Sequence, residues 1–210
     1  KHPSSGSNNL VLASDGSATA TLSSTSVVPA SIGGTMVFLE KYTANNGSQS
    51  KIFDLSTFTE SFNEYRFVLN KLTPASDNRN LFVRLGSATG SIDSGDNYDL
   101  AGIQQYFASA TTAGQNNLSS LNVCLSINHI GNSTGEGVSG EIKMYGLRDS
   151  NTFAQITTLA TSFYYGNSQE LYLTGAIHQQ QQDDKAIEFR CDGGGNFGSG
   201  TITVYGIRNA

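Results

Sequence analysis

Along one short run after another, apolar and polar side chains alternate with a period of two, and clusters of Gly, Asn, Ser and Asp separate the runs. In Glu64 to Leu72, Tyr65, Phe67 and Leu69 alternate with Arg66, Val68 and Asn70. Asn80 to Leu85 sets Leu81, Val83 and Leu85 against Phe82 and Arg84, and Ala186 to Cys191 puts Ile187, Phe189 and Cys191 on one face. A period of two places alternate residues on opposite faces of a strand, so each run can bury one face and wet the other. Between runs, Asn45-Asn46-Gly47-Ser48 has hairpin chemistry, and Thr73-Pro74-Ala75-Ser76-Asp77-Asn78 carries Pro and Asx where turns favour them. Met36 to Tyr42, Leu121 to His129, Glu141 to Leu147, Leu171 to Ile177 and Thr201 to Ile207 complete the predicted strands. Gln155 to Tyr165 is rich in β-formers without a clean period. Ala101 to Phe107 looks helical or irregular, and Gly86 to Leu100 reads as a long loop.

One of these strands occurs twice. Ser139-Gly140-Glu141-Ile142-Lys143-Met144-Tyr145-Gly146-Leu147-Arg148 returns as Ser199-Gly200-Thr201-Ile202-Thr203-Val204-Tyr205-Gly206-Ile207-Arg208, 60 residues later. Ile142 and Met144, like Ile202 and Val204, are expected to face inward, with Tyr145 and Tyr205 on the opposite face beside Lys143 and Thr203. If that outer face is solvated, the two tyrosines are ordinary cross-strand partners; if it is covered, they mark a subunit interface. About ten strands with long connections predict an all-β chain: an antiparallel β-sandwich of jelly-roll type over residues 35–210.

Composition agrees. Gly occurs 23 times and Pro three times, with 14 % charged residues, a profile of strands joined by tight polar turns rather than of helices. Residues 1–34 differ: Ser, Ala, Thr, Gly and Asn dominate, relieved by Leu10-Val11-Leu12 and Val27-Val28. Such a segment buries little surface alone, and it is expected to be an extended low-complexity arm or stalk lying along a neighbour. The chain begins at Lys1 rather than Met, which points to processing or trimming. A net charge of −5 with no basic segment argues against nucleic acid as a partner. No apolar stretch approaches the roughly 20 residues of a bilayer span, which argues against membrane insertion. Cys124 and Cys191 allow one disulfide, but their alternation places them on differently facing sides, so two separate thiols are expected.

No catalytic constellation emerges. His2, His129 and His178 lie outside any nucleophile motif, and His129 before Gly131 reads as a strand-end histidine satisfied by a turn. Asp93, Asp96 and Asp99 recur at three-residue spacing in a Gly- and Asn-containing loop. Oxygen ligands on such a loop suit Ca²⁺, yet the spacing is not that of an EF-hand, and Asx residues there also make their own turns. The Gly-rich Asp192 to Gly198 joins two strands and carries no Lys, unlike a phosphate loop. The run Gln179 to Gln182 reads as a solvated loop. With Tyr164, Tyr165 and Tyr172 nearby, Gln180 and Gln181 could instead form a surface for neutral glycans. No cofactor is expected.

Residues Tyr65 to Asp77, Asn80 to Leu85, Gly90 to Tyr98 and the closing Ser199 to Ile207 resemble the β-sandwich surface proteins of tailed-phage virions. These are fibre, tail-adhesin and head-decoration proteins, and the likeness runs from about Met36 to Ala210. The resemblance implies a non-enzymatic structural protein on the virion surface, assembled in the host cytoplasm. It also implies a homotrimer that contacts other virion proteins and, in an adhesin, a host glycan. The alternative is a carbohydrate-binding, lectin-like module not tied to a virion. A depolymerase tailspike is disfavoured, because solenoid repeats are missing.

Overall fold

The computed structural model describes residues 36–58, 62–106, 110–118, 120–122, 130–164 and 168–208. The expected arm, residues 1–34, lies outside them, as do Cys124, His129 and Tyr165. The described strands are β1 (Met36–Thr43), β2 (Ser50–Asp54), β3 (Glu64–Pro74), β4 (Leu81–Ala88), β5 (Ser91–Ile92), β6 (Tyr98–Tyr106) and β7 (Ala110–Leu118). They continue with β8 (Leu121–Asn122), β9 (Gly137–Tyr145), β10 (Phe153–Tyr164), β11 (Ser168–Gln181), β12 (Ala186–Cys191) and β13 (Phe197–Ile207). A single turn of 3-10 helix, Leu55–Thr57, follows β2 and is capped by the Asp54 carboxylate accepting from Ser56 N–H.

All described pairings are antiparallel, and they form two sheets. One has eight strands in the order β1-β13-β3-β9-β10-β11-β6-β7. The other runs β2-β12-β4, with β5 and β8 both on the far side of β4. Four pairs are nested: β1 with β13, β2 with β12, β3 with β9 and β4 with β8. That nesting is a long hairpin rolled into two layers, the jelly roll expected from the sequence. Two insertions extend it. The hairpin β6-β7 between β4 and β8, and the hairpin β10-β11 between β9 and β12, both join the eight-stranded sheet beyond β9.

The core lies where alternation placed it. Tyr65, Phe67 and Leu69 on β3, Ile142 and Met144 on β9, and Ile202 and Val204 on β13 are buried. They face Phe53, Leu81, Val83, Leu85, Ile187 and Phe189 of the five-stranded sheet. Phe53, Phe67 and Phe189 meet ring to ring at 5.3–5.9 Å, in tilted and edge-on contacts that add to simple area burial. Cys191 is a free, buried thiol whose pKa burial pushes up to about 12, so it acts as a small apolar side chain.

The two copies of the repeat lie on either side of β3, not at a sheet edge, and β13 is further covered by β1. Their Ser-Gly steps coincide with register shifts against the bulge of β3, where Lys71 takes a left-handed φ of 49°. A Cβ at Gly200 (φ 95°) would lie 2.2 Å from the Lys71 carbonyl oxygen, and one at Gly140 would lie 2.3 Å from that of Leu159. The repeat therefore encodes a bulge on both flanks of one strand.

Three expectations fail in detail. Ala101 to Phe107 is not irregular; its described part belongs to β6, which already begins within the presumed Gly86–Leu100 loop. The Gln run is not a loop either, since β11 extends to Gln181. On β6, inward Gln104 is polar and outward Ile103 is apolar, so the usual pattern is inverted. On β10, hydroxyl and aliphatic side chains appear on both faces.

The ring cluster gives a direct test. Phe189→Ala is expected to cost about 3–5 kcal/mol in urea unfolding, whereas Phe38→Ala, at a position 58 % exposed, should stay within about 1 kcal/mol. Equal costs for the two variants would contradict this placement of the core.

Candidate functional site

From Glu170 to His178 the even-numbered residues of β11 face inward by strand parity, which turns Tyr172, Thr174 and His178 toward the interior. His178 is fully buried and lies between two carboxylates. Its Nδ1 is 3.0 Å from Asp184 Oδ2 in the β11–β12 connection, and its Nε2 is 2.8 Å from Asp93 Oδ2 in the β5–β6 connection. Tyr98 of β6 stacks on the imidazole with ring centroids 4.6 Å apart and planes 14° apart. The Tyr98 hydroxyl accepts from Leu85 N–H on β4 at 2.9 Å and donates to the Asp93 carbonyl at 3.1 Å. One imidazole thus ties the inserted hairpins to the five-stranded sheet.

The two carboxylates are themselves held. Asp93 Oδ1 accepts from Gly95 N–H at 2.7 Å and its Oδ2 from Asn97 Nδ2 at 2.8 Å, while Asp184 Oδ1 accepts from Gln182 Nε2 at 2.7 Å. A carboxylate at each ring nitrogen favours the doubly protonated imidazolium form of the ring. Burial alone would lower the His178 pKa, but the hydrogen bonds to Asp184 and Asp93 outweigh it and hold it above its ordinary 6.5. Burial would likewise raise the Asp93 carboxyl; its bonds from His178, Gly95 and Asn97 prevail and hold it below its ordinary 3.8. Both ring nitrogens are engaged by carboxylates of the chain itself. The cluster is a clamp.

The Asp93, Asp96 and Asp99 loop, for which both Ca²⁺ binding and turn-making were open, is described by the same contacts. Asp93 turns inward to His178, Asp96 is exposed, and Asp99 accepts from Gln179 Nε2, so the three do not converge. Among the described residues no group of three His, Cys, Asp or Glu side chains could hold a metal ion.

The glycan surface also changes. Tyr172 is fully buried, its hydroxyl 3.2 Å from Ser162 Oγ, and cannot stack on a sugar. The Tyr164 side chain and all of Tyr165 lie outside the described residues. Gln180 and Gln181 are exposed at the end of β11, with Gln181 Nε2 donating to the Asn151 carbonyl at 3.4 Å. Of that set, the two amides are placed at the surface, and the aromatic described beside them is not one of the three tyrosines but Phe153, the cross-strand partner of Gln181.

Tyr145 and Tyr205 lie half-buried on the outer face of the eight-stranded sheet, as expected. Tyr205 meets Phe38 edge-on at 6.1 Å. Burial, then the nearby Glu64 charge, pushes the Tyr145 hydroxyl pKa up. Between them runs a ladder of Arg66 with Glu64 (2.8 Å) and of Lys143 with Glu141 (3.0 Å). Past β9 that face changes character: Leu159, Phe163, Leu171, Leu173 and Ile103 stand 37–53 % exposed. The sequence reading missed both this patch and the clamp. Parity along β11 was the available signal for His178.

Comparison with protein-family models, curated proteins and solved structures finds no match for this chain.

The clamp has a defined pH signature. His178 contributes stability that is complete below about pH 6.5 and is lost as pH rises through its raised folded pKa. Asp93 contributes stability present above about pH 3.8 that is lost as pH falls through its lowered folded pKa. Thermal melts should therefore peak between these limits. His178→Gln, which leaves two carboxylates without their cation, should cost about 3–5 kcal/mol near pH 6 and flatten the alkaline limb. An unchanged alkaline limb in the variant would contradict the clamp.

Proposed function

We propose that this chain is a non-enzymatic structural protein of a virion surface, a fibre, tail-adhesin or decoration unit that works by assembling with copies of itself and with neighbouring virion proteins. One observation supports it above the others: the exposed apolar side chains gathered on the outer face of β10, β11 and β6, where Asp99 alone among the described outward side chains is charged. Large apolar side chains gathered in the open on one sheet face favour a surface that a partner covers. The His178 cluster is consistent, because it spends its imidazole on holding the fold together. The tailed-phage setting is supported by the resemblance of Tyr65 to Asp77, Gly90 to Tyr98 and Ser199 to Ile207.

The jelly roll itself serves capsid proteins and lectins alike, so fold alone does not choose between them. The carbohydrate-module alternative depended on stacked tyrosines beside the Gln run, and Tyr172 is withdrawn from that set by its burial.

Mass spectrometry of gradient-purified particles is expected to find the chain at a fixed copy number relative to the major capsid or tail proteins. Its absence from particles, together with glycan binding by the free chain, would replace this reading with the lectin-like one.

A further inference from the structure

The apolar patch has a relief that identifies its occupant. Register aligns Ile103, Leu173 and Leu159 in one row across β6, β11 and β10, exposed by 47, 53 and 49 %. This row is a ridge. Two residues along the strands lies a second row, Gly114, Ala101, Gly175 and Thr157, across β7, β6, β11 and β10. Its small side chains leave a shallow, open groove of about 690 Å³. The rows are about 7 Å apart, the repeat of two strand residues.

The glycines in the groove are not required by this chain's own fold. A Cβ at Gly175 would meet no atom within 4 Å, and one at Gly114 would meet only the Leu100 carbonyl oxygen, at 3.9 Å. Neither position has the left-handed backbone that favours glycine. Glycine inside a strand weakens it, and it commonly marks the close approach of another surface. The patch is also nearly neutral. Among the described outward side chains of β10, β11, β6 and β7, Asp99 alone is charged; it lines one side of the groove and is bonded to Gln179. On the β9 side the patch is bounded by the ladder of Glu141, Lys143, Arg66 and Glu64.

A ridge beside a matching groove on one face is self-complementary. A two-fold axis parallel to the rows and midway between them carries each copy's ridge into the other's groove, and with so little charge no like charges collide. Four strands about 4.8 Å apart and nine residues long give a footprint of roughly 600 Å² before side-chain relief, against ~800 Å² per partner in a standard interface.

We propose that two copies of this chain pack face to face through the outer faces of β10, β11, β6 and β7, Leu159, Leu173 and Ile103 of each entering the groove over Gly175 and Ala101 of the other. This deepens the assembly reading and rests on its self-association part alone. It departs from the expected homotrimer in assigning this face two-fold pairing.

Sedimentation velocity on the full chain is expected to give twice the 22.3 kDa chain mass. Gly175→Lys, built where the Cβ has open space, should weaken the dimer by about 30-fold or more while leaving the circular dichroism spectrum unchanged, and should lower the melting temperature only at concentrations where the parent chain is dimeric. Leu173→Lys should do the same, and Phe38→Lys, on the distant edge strand, should not. A monomer at the highest soluble concentration would overturn the proposal, as would a trimer, or a dimer indifferent to both Gly175→Lys and Leu173→Lys. Cross-links from residues 1–34 of one copy to the patch of another would also overturn it, by naming the arm as occupant. A monomeric chain still found at fixed copy number on particles would remove this inference and leave the virion reading standing.

Discussion

The contact of Phe189 with Phe53 and Phe67 is what makes two sheets into one body. Phe67 comes from β3, at the middle of the nested pairs in the larger sheet, and Phe189 from β12, central in the smaller one. Each ring is fully buried, so the layer between the sheets is dry there. Backbone polar groups can face such a layer only when every strand is paired, and the nested order meets that condition by joining β1 to β13 and β2 to β12. These pairings join segments far apart in sequence, and their loop-closure entropy must be offset by burial gained only on closure. The aromatic contacts supply that gain where the pairs converge.

Beyond β9 the apolar layer thins. The inward residues of the inserted strands include Thr158, Ser162, Glu170, Thr174 and Gln104, all buried. Ser162 Oγ lies 3.5 Å from Glu170 Oε2 and 3.2 Å from the Tyr172 hydroxyl, so part of this polarity satisfies itself. Hydrogen bonds between such groups give little net stability, since the unfolded chain satisfies them with water. The His178 clamp is the compensating device, for it joins β11, the β5–β6 and β11–β12 connections, β6 and, through Tyr98, β4. A buried imidazolium between two carboxylates is tolerable only because each charge has its counterpart; the desolvation is large, and removing any one member leaves it uncompensated.

Legibility in the sequence follows the same division. Where one face meets the dry layer and the other meets water, as in β3, β4, β12 and β13, alternation names the inward residues correctly. Tyr65, Phe67 and Leu69 could be assigned without coordinates, and so could Ile187, Phe189 and Cys191. Where the interior is polar, the code weakens. Tyr172 looked like a surface aromatic because its neighbours in sequence include a Gln run, although its parity with Thr174 and His178 placed it inside. The Asp93 end of the clamp was not legible at all, because 85 residues separate it from His178 and only the sheet order brings them together.

The strands that defeated pattern reading are the same strands that carry the exposed patch, and one cause accounts for both. Period-two alternation is clear only when a strand has one dry and one wet face; a strand covered on both sides carries apolar residues on both. On β10, Ala154, Ile156 and Ala160 face inward while Phe153, Leu159 and Phe163 face outward. On β6, inward Leu100 is answered by outward Ile103. The composition of these strands is that of a middle layer, although the described residues cover only one of their faces. Blurred alternation of this kind is what the proposed pairing of two copies through this face would leave in the sequence.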